Sequence, residues 1–139
     1  MKAKLVKEAQ SVYDWGRRNG GNKELSCWCA ICSYELFKRF RRQGLNPTFY
    51  NVSEKNGWDG HCFVYCLGYI VDVTAAQFVK GLQPVEVRKT DLGYWFWAKE
   101  SNRHVNVKKA NSTARIRKLL IDWPKCQNPF RVDFKRDWA

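Results

Sequence analysis

Leu67-Gly68 stands between two short apolar runs, His61-Cys62-Phe63-Val64-Tyr65-Cys66 and Tyr69-Ile70-Val71-Asp72-Val73. Two such runs joined by two residues, the second a glycine, predict a tight β-hairpin. The turn also fixes the register. With Cys66 opposite Tyr69, His61 faces Thr74 and Phe63 faces Asp72. Side chains alternate along a strand, so His61, Phe63, Asp72 and Thr74 share one face, while Cys62, Val64 and Cys66 pack on the other. His61 and Asp72 become diagonal neighbours within reach of each other. A slip of one residue would put them on opposite faces.

Around this hairpin the chain reads as helices first and strands later. Leu5, Ala9, Val12, Tyr13 and Gly16 recur at three- and four-residue steps, which predicts an amphipathic helix from about Lys4 to Arg18, stopped by Asn19-Gly20-Gly21-Asn22. Ser26 is the expected cap of a second helix running through Gln43 and ended by Gly44 and Pro47. Thr48 to Val52 reads as a strand, Ser53 to Gly60 as a loop, and Thr74 to Val79 as a turn or short helix. Val85-Glu86-Val87 reads as a strand, and Tyr94 to Trp97 as a strand or an aromatic anchor. A last helix, capped by Asn111 or Ser112, runs through Ile121 and stops before Pro124. The order predicts an α+β domain, residues 1–139, with N-terminal helices packed on an antiparallel sheet.

The chain is 45% hydrophobic with seven Trp, enough apolar material for a core, which argues against disorder. Its formal net charge of +12 is carried more heavily after Val79. Such a surplus favours acidic partners; nucleic acid fits the charge, but no nucleic-acid-binding motif accompanies it. No secretory signal and no membrane-spanning run is apparent. The six cysteines are clustered rather than spread as staples, with Cys27, Cys29 and Cys32 close together and Cys62 and Cys66 on one strand. Reduced thiols and a cytoplasmic setting are the expectation.

A cysteine in the first turn of the second helix meets unsatisfied N–H groups and the positive end of the helix dipole, both of which favour a thiolate. The same N–H groups suit the oxyanion formed when a thiolate attacks a carbonyl. His61 would move the proton and Asp72 would orient the imidazole. Cys29, His61 and Asp72 are thus the candidate catalytic set.

The residues around these three resemble the transglutaminase-like branch of the papain-like cysteine enzymes, especially small bacterial and phage proteins of that type. The likeness rests on Cys29 followed by Cys32-Ser33, Leu36, Phe40 and Gly44-Leu45-Asn46-Pro47, on His61-Cys62-Phe63-Val64, and on Asp72-Val73-Thr74 continuing to Gln77-Phe78. It spans about Gly21 to Phe78, and counting back from Gly44 selects Cys29 over Cys27 and Cys32. Two departures stand out: Cys32 replaces the family's more usual Ala, and Lys23 stands where papain-type enzymes have a Gln before the nucleophile. Asn22, Trp28 and Gln77 are alternative candidates to complete the oxyanion hole. The resemblance implies a papain-like, transglutaminase-like core and acyl transfer through a thioester, most simply hydrolysis of a peptide or amide bond in a protein substrate, an acidic one given the charge. Glutamine deamidation and transglutamination use the same set, and no cofactor or metal is implied.

Three rival readings remain. Trp28-Cys29-Ala30-Ile31-Cys32 imitates a thiol redox site, but a loop after a helix precedes it, where such sites normally follow a strand. Cys29, Cys32, His61 and Cys66 offer four zinc ligands without paired Cys-x-x-Cys spacing. A basic, non-enzymatic binding module for nucleic acid or an acidic protein is the third, with Lys108-Lys109 and Arg115, Arg117 and Lys118 as its surface.

Overall fold

The computed structural model describes residues 2–54, 60–77, 84–89 and 105–133. Helix α1 (Lys2–Arg18) buries Leu5, Ala9, Val12 and Gly16, the stripe its sequence periodicity predicts. Helix α2 (Cys29–Arg42) is the central element, burying Cys29 to Ser33, Glu35, Leu36, Phe37 and Phe40. Three cations, Arg39, Arg41 and Arg42, occupy its last turn, where the dipole favours them.

The start of α2 corrects one expectation. Ser26 does not cap the helix; Trp28 holds the N-cap position and makes no side-chain capping bond. Leu25 and Cys27 both have left-handed backbone, with φ of 52° and 68°. These two turns displace the helix start by two residues and leave Cys29 as the first helical residue. The distortion is held by burial, since Leu25 and Trp28 are both fully enclosed in the core.

Five strands follow: β1 (Thr48–Glu54), β2 (Gly60–Cys66), β3 (Tyr69–Asp72), β4 (Glu86–Lys89) and β5 (Val105–Ala110). They form one antiparallel sheet in the order β4-β3-β2-β1-β5. The hairpin has the predicted register, with Val64 opposite Val71 and Cys66 opposite Tyr69. Its turn residues Leu67 and Gly68 both have positive φ, 54° and 85°, the conformation whose twist matches the flanking strands. Strand β1 runs two residues past its expected end, and β4 begins one residue later than expected and ends two later. A short 3-10 turn, Ala75–Gln77, follows β3.

Strand β5 was not expected. Its sequence, Val-Asn-Val-Lys-Lys-Ala, carries little apolar signal because it is a sheet edge exposing Val107, Lys108 and Lys109. Lysines on an edge strand hinder unwanted pairing. Helix α3 (Thr113–Leu119) is capped by Ser112, whose Oγ accepts the Arg115 N–H at 3.3 Å. The Tyr94–Trp97 segment lies outside the described residues.

The described elements make an α+β arrangement of three helices and the sheet. Leu36, Phe37, Phe40, Phe49, Val64 and Val71 form the heart of the core between the helices and the sheet. No described helix is long and apolar enough to cross a membrane.

Candidate active site

Cys29 owes its position to the displaced start of α2. As the first helical residue it stands beside N–H groups that precede the first intrahelical bond, Cys32 N–H to Trp28 carbonyl at 2.8 Å. Its side chain is buried, 4% exposed. All six cysteines are free thiols; Cys27 and Cys126 are exposed and the other four buried.

His61 enters from β2 and Asp72 from the end of β3. The hairpin register makes them diagonal neighbours, and their side chains close to 2.6 Å between His61 Nε2 and Asp72 Oδ2. The pair is almost wholly excluded from water, 0% and 1% exposed. The second carboxylate oxygen, Oδ1, accepts from the Thr74 N–H at 2.9 Å and the Thr74 Oγ1–H at 3.2 Å. Asp72 is thereby fixed through both oxygens, and it fixes the imidazole in turn.

The other electrostatic neighbour of the imidazole is Cys29, at the tip of α2. Burial pushes the His61 imidazole down, but the Asp72 charge, the Asp72 hydrogen bond and the Cys29 sulfur together raise it to about 9. The Cys29 thiol is lowered to about 5: the neighbouring Cys62 side chain favours the thiolate most, burial opposes it, and the His61 charge adds to the lowering. Between those values the stable form is a thiolate–imidazolium pair, and the two steps belong to the coupled pair rather than to either group. Such a pair is both a nucleophile and a proton donor.

The alternative oxyanion candidates fall in different places. Asn22 is exposed, and its Oδ1 accepts the Ser26 N–H at 2.9 Å within the loop before α2. Trp28 is fully buried, its ring meeting Trp15 edge-on at 6.2 Å. The Gln77 backbone closes the 3-10 turn after β3, and its side chain lies outside the described residues. Cys32, the partner in a redox reading, packs in the core where a Cβ added to Gly16 would lie 3.2 Å from its sulfur, and burial raises its thiol well above the usual range. Among the described residues, no group of three or more His, Cys, Asp or Glu side chains is arranged to hold a metal ion.

Sequence reasoning missed two residues at this site. Alternation put Cys62 in the core, and the structure agrees, but Cys62 also favours the Cys29 thiolate. Asn51 lies opposite Cys62 in the β1–β2 register, and its Nδ2–H donates to Cys62 Sγ at 3.5 Å. The signal was available in part: an Asn in an otherwise apolar strand is a buried polar group that must find a partner.

A recess of about 470 Å³ is lined by Ala114, Arg117, Lys118, Ile121, Asn128, Phe130 and Arg131, none of which belongs to the Cys29 site. The Cys29 site and this cationic recess thus have no lining residue in common. No family model matches the chain, and no match was found among curated proteins or solved structures.

Proposed function

We propose that this protein is a cysteine-dependent acyl-transfer enzyme with a papain-like, transglutaminase-like core, in which Cys29 is the nucleophile, His61 the acid–base and Asp72 the group that orients His61. The observation that carries the reading is a buried imidazole held at 2.6 Å by Asp72, with the sulfur at a helix tip as its electrostatic neighbour.

In the mechanism this supports, the Cys29 thiolate attacks the substrate carbonyl carbon, and the electron pair of the C=O moves to oxygen. The resulting oxyanion meets the N–H groups of the first turn of α2. His61 passes its proton to the leaving nitrogen, the C–N bond breaks, and a thioester to Cys29 remains. Neutral His61 then takes a proton from water, which attacks the thioester and releases the acid and the Cys29 thiolate, restoring the thiolate–imidazolium pair. Asp72 stays ionised throughout, because its role is to hold the ring and offset the imidazolium charge.

Hydrolysis of a peptide or amide bond in a protein, with an acidic one favoured by the +12 charge, is the preferred outcome. Water on a glutamine side chain would make the enzyme a deamidase, and an amine in place of water a transglutaminase. Mass spectrometry of lysate proteins exposed to wild type and to Cys29→Ser separates these. Cleaved chains, deamidated glutamines or new cross-links, each lost in Cys29→Ser, identify the reaction; identical proteomes under both treatments contradict the proposal.

One observation favours a reading of another class. Lys108, Lys109, Arg115, Arg117 and Lys118 are all exposed on β5 and α3, a cationic face suited to nucleic acid or an acidic protein without any enzymatic step. Nucleic-acid binding would weaken steeply with added salt.

A further inference from the structure

Helix α3 packs against β5, the edge of the described sheet, and is anchored in the core by Ile116 and Leu120. In and just after the helix, Ala114, Arg117, Lys118 and Ile121 recur at helical spacing on one outward side, and Arg115, Lys118, Leu119 and Asp122 on the next. Each side borders a recess. The first is the 470 Å³ recess that reaches Asn128, Phe130 and Arg131. The second, about 460 Å³, also takes in Lys108 and Lys109 of β5. A third, about 340 Å³, adds Thr48, Tyr50 and Tyr65 from β1 and β2.

These recesses are joined. Lys109, Ala110 and Arg115 line both the third and the second, and Lys118 and Ile121 line both the second and the first. Together they make one groove from β1 and β2, past β5 and α3, to the segment that follows α3. Its far wall is held in place by a buried amide. Asn128 is 2% exposed; its Nδ2–H donates to the Leu120 carbonyl at 2.7 Å, and its Oδ1 accepts the Phe130 N–H at 2.9 Å. Phe130 is thereby tied to the end of the helix, so the wall stands before any ligand arrives.

The lining dictates what fits. Lys108, Lys109, Arg115, Arg117, Lys118 and Arg131 are all exposed along the groove, and Asp122 is the one carboxylate among its described lining residues. Apolar groups lie between the cations: Ala110, Ala114, Leu119 and Ile121. Ile121 is 68% exposed, the most of any large apolar side chain among the described residues. A single strand of nucleic acid would match the charge but needs ring faces on which bases stack. Tyr50 is 6% exposed and already stacks on Phe63 at 5.1 Å. Phe130 carries the Arg117 guanidinium over its face at 4.9 Å and packs on Tyr34 at 4.6 Å. Only Tyr65, edge-on to Tyr50, is left as a platform among the groove's described rings. We infer that the groove docks an extended acidic segment of a protein, with apolar side chains interspersed among its carboxylates. The carboxylates pair with the lysines and arginines, and the apolar side chains settle against Ala114 and Ile121. Docking goes beyond a merely cationic face, and it requires nothing of Cys29, which lines no part of the groove.

The test is fluorescence anisotropy with the full chain and three tagged probes: a short peptide rich in Glu with interspersed Leu, the same peptide with Ser for each Leu, and oligo-dT of similar length. The proteins are wild type, the double variant Arg117→Glu with Lys118→Glu, Ile121→Ser and Cys29→Ser. Wild type is expected to bind the Glu/Leu peptide most tightly. Reversing the two charges weakens that binding by about tenfold or more. Ile121→Ser, or Ser for Leu in the peptide, weakens it by about three- to tenfold. Cys29→Ser binds as wild type does. Tighter binding of oligo-dT than of the Glu/Leu peptide overturns the inference in favour of nucleic acid. No measurable binding of the Glu/Leu peptide overturns it too, as does binding unchanged in both groove variants. If the double variant does not fold, equal binding of the Leu and Ser peptides by wild type overturns it on its own. None of these failures touches the acyl-transfer reading, and identical lysate proteomes under wild type and Cys29→Ser would leave the docking groove standing.

Discussion

Helix α2 carries two ionic clusters, one at its first residue and one near its middle, and they differ chiefly in access to water. At the tip, His61 and Asp72 sit beside Cys29 at 0% and 1% exposure. Further along, Glu35 pairs with Lys38 at 3.0 Å and with Arg39 at 2.9 Å, and Arg39 reaches across to Ser11 Oγ at 2.7 Å and Glu8 at 3.5 Å on α1. Burial works against the Glu35 carboxylate, yet Arg39 and Lys38 outweigh it and hold its pKa below the ordinary value. That cluster ties two helices together, and solvent can replace any lost partner in part. No solvent can do so at the tip. There the pairing decides which group holds a proton, and a structural contact becomes a chemical device.

Breaking each cluster should therefore have unequal effects. Asp72→Ala leaves a buried imidazole without its carboxylate and is expected to cost about 3 to 5 kcal/mol in urea unfolding. It also returns His61 toward the neutral form that burial prefers, so Cys29 labelling near pH 6 should fall with it. An Asp72→Ala protein as stable as wild type would mean that the pair is more hydrated than its burial indicates. His61→Ala should lower turnover on any identified substrate by about 10²- to 10⁴-fold while the fold persists, measured as kcat at neutral pH.

Gly60→Ala comes next. At the start of β2, next to His61, an added Cβ would lie 2.6 Å from Trp123 Cη2 and 3.0 Å from Cζ3. The rigid indole must move, at an expected cost of about 1 to 3 kcal/mol by the same unfolding measurement. A neutral result would show that Trp123 is free to shift away from the strand. Arg39→Ala should do least, about 0.5 to 1 kcal/mol, and less still in high salt, because its partners remain partly solvated. A loss comparable to that of Asp72→Ala would erase the distinction between the clusters.

Sequence made the tip more legible than its setting. The Leu67-Gly68 turn dictates the hairpin register, and the register brings His61 to Asp72; that chain of inference needs only local rules. Helix α1 and the body of α2 follow from periodicity. The start of α2 does not, because Leu25 and Cys27 adopt left-handed backbone that neither residue type signals, in a segment anchored by the buried Leu25 and Trp28. Strand β5 hid behind the lysines that protect a sheet edge. The influence of Cys62 on Cys29 was obscured by a correct rule, because alternation separates Cys62 from His61 and places it in the core.

The central claim is that His61 is held between Asp72 and the Cys29 sulfur as a charged imidazole. The chain has only two histidines, so nitrogen NMR of ¹⁵N-histidine protein, followed across pH in wild type and Cys29→Ser, reads the ring directly. One imidazole should stay protonated through neutrality and lose its proton near pH 9, and Cys29→Ser should bring that step down by removing the thiolate. His61 titrating near the ordinary value of about 6.5, unchanged by Cys29→Ser, would contradict the account.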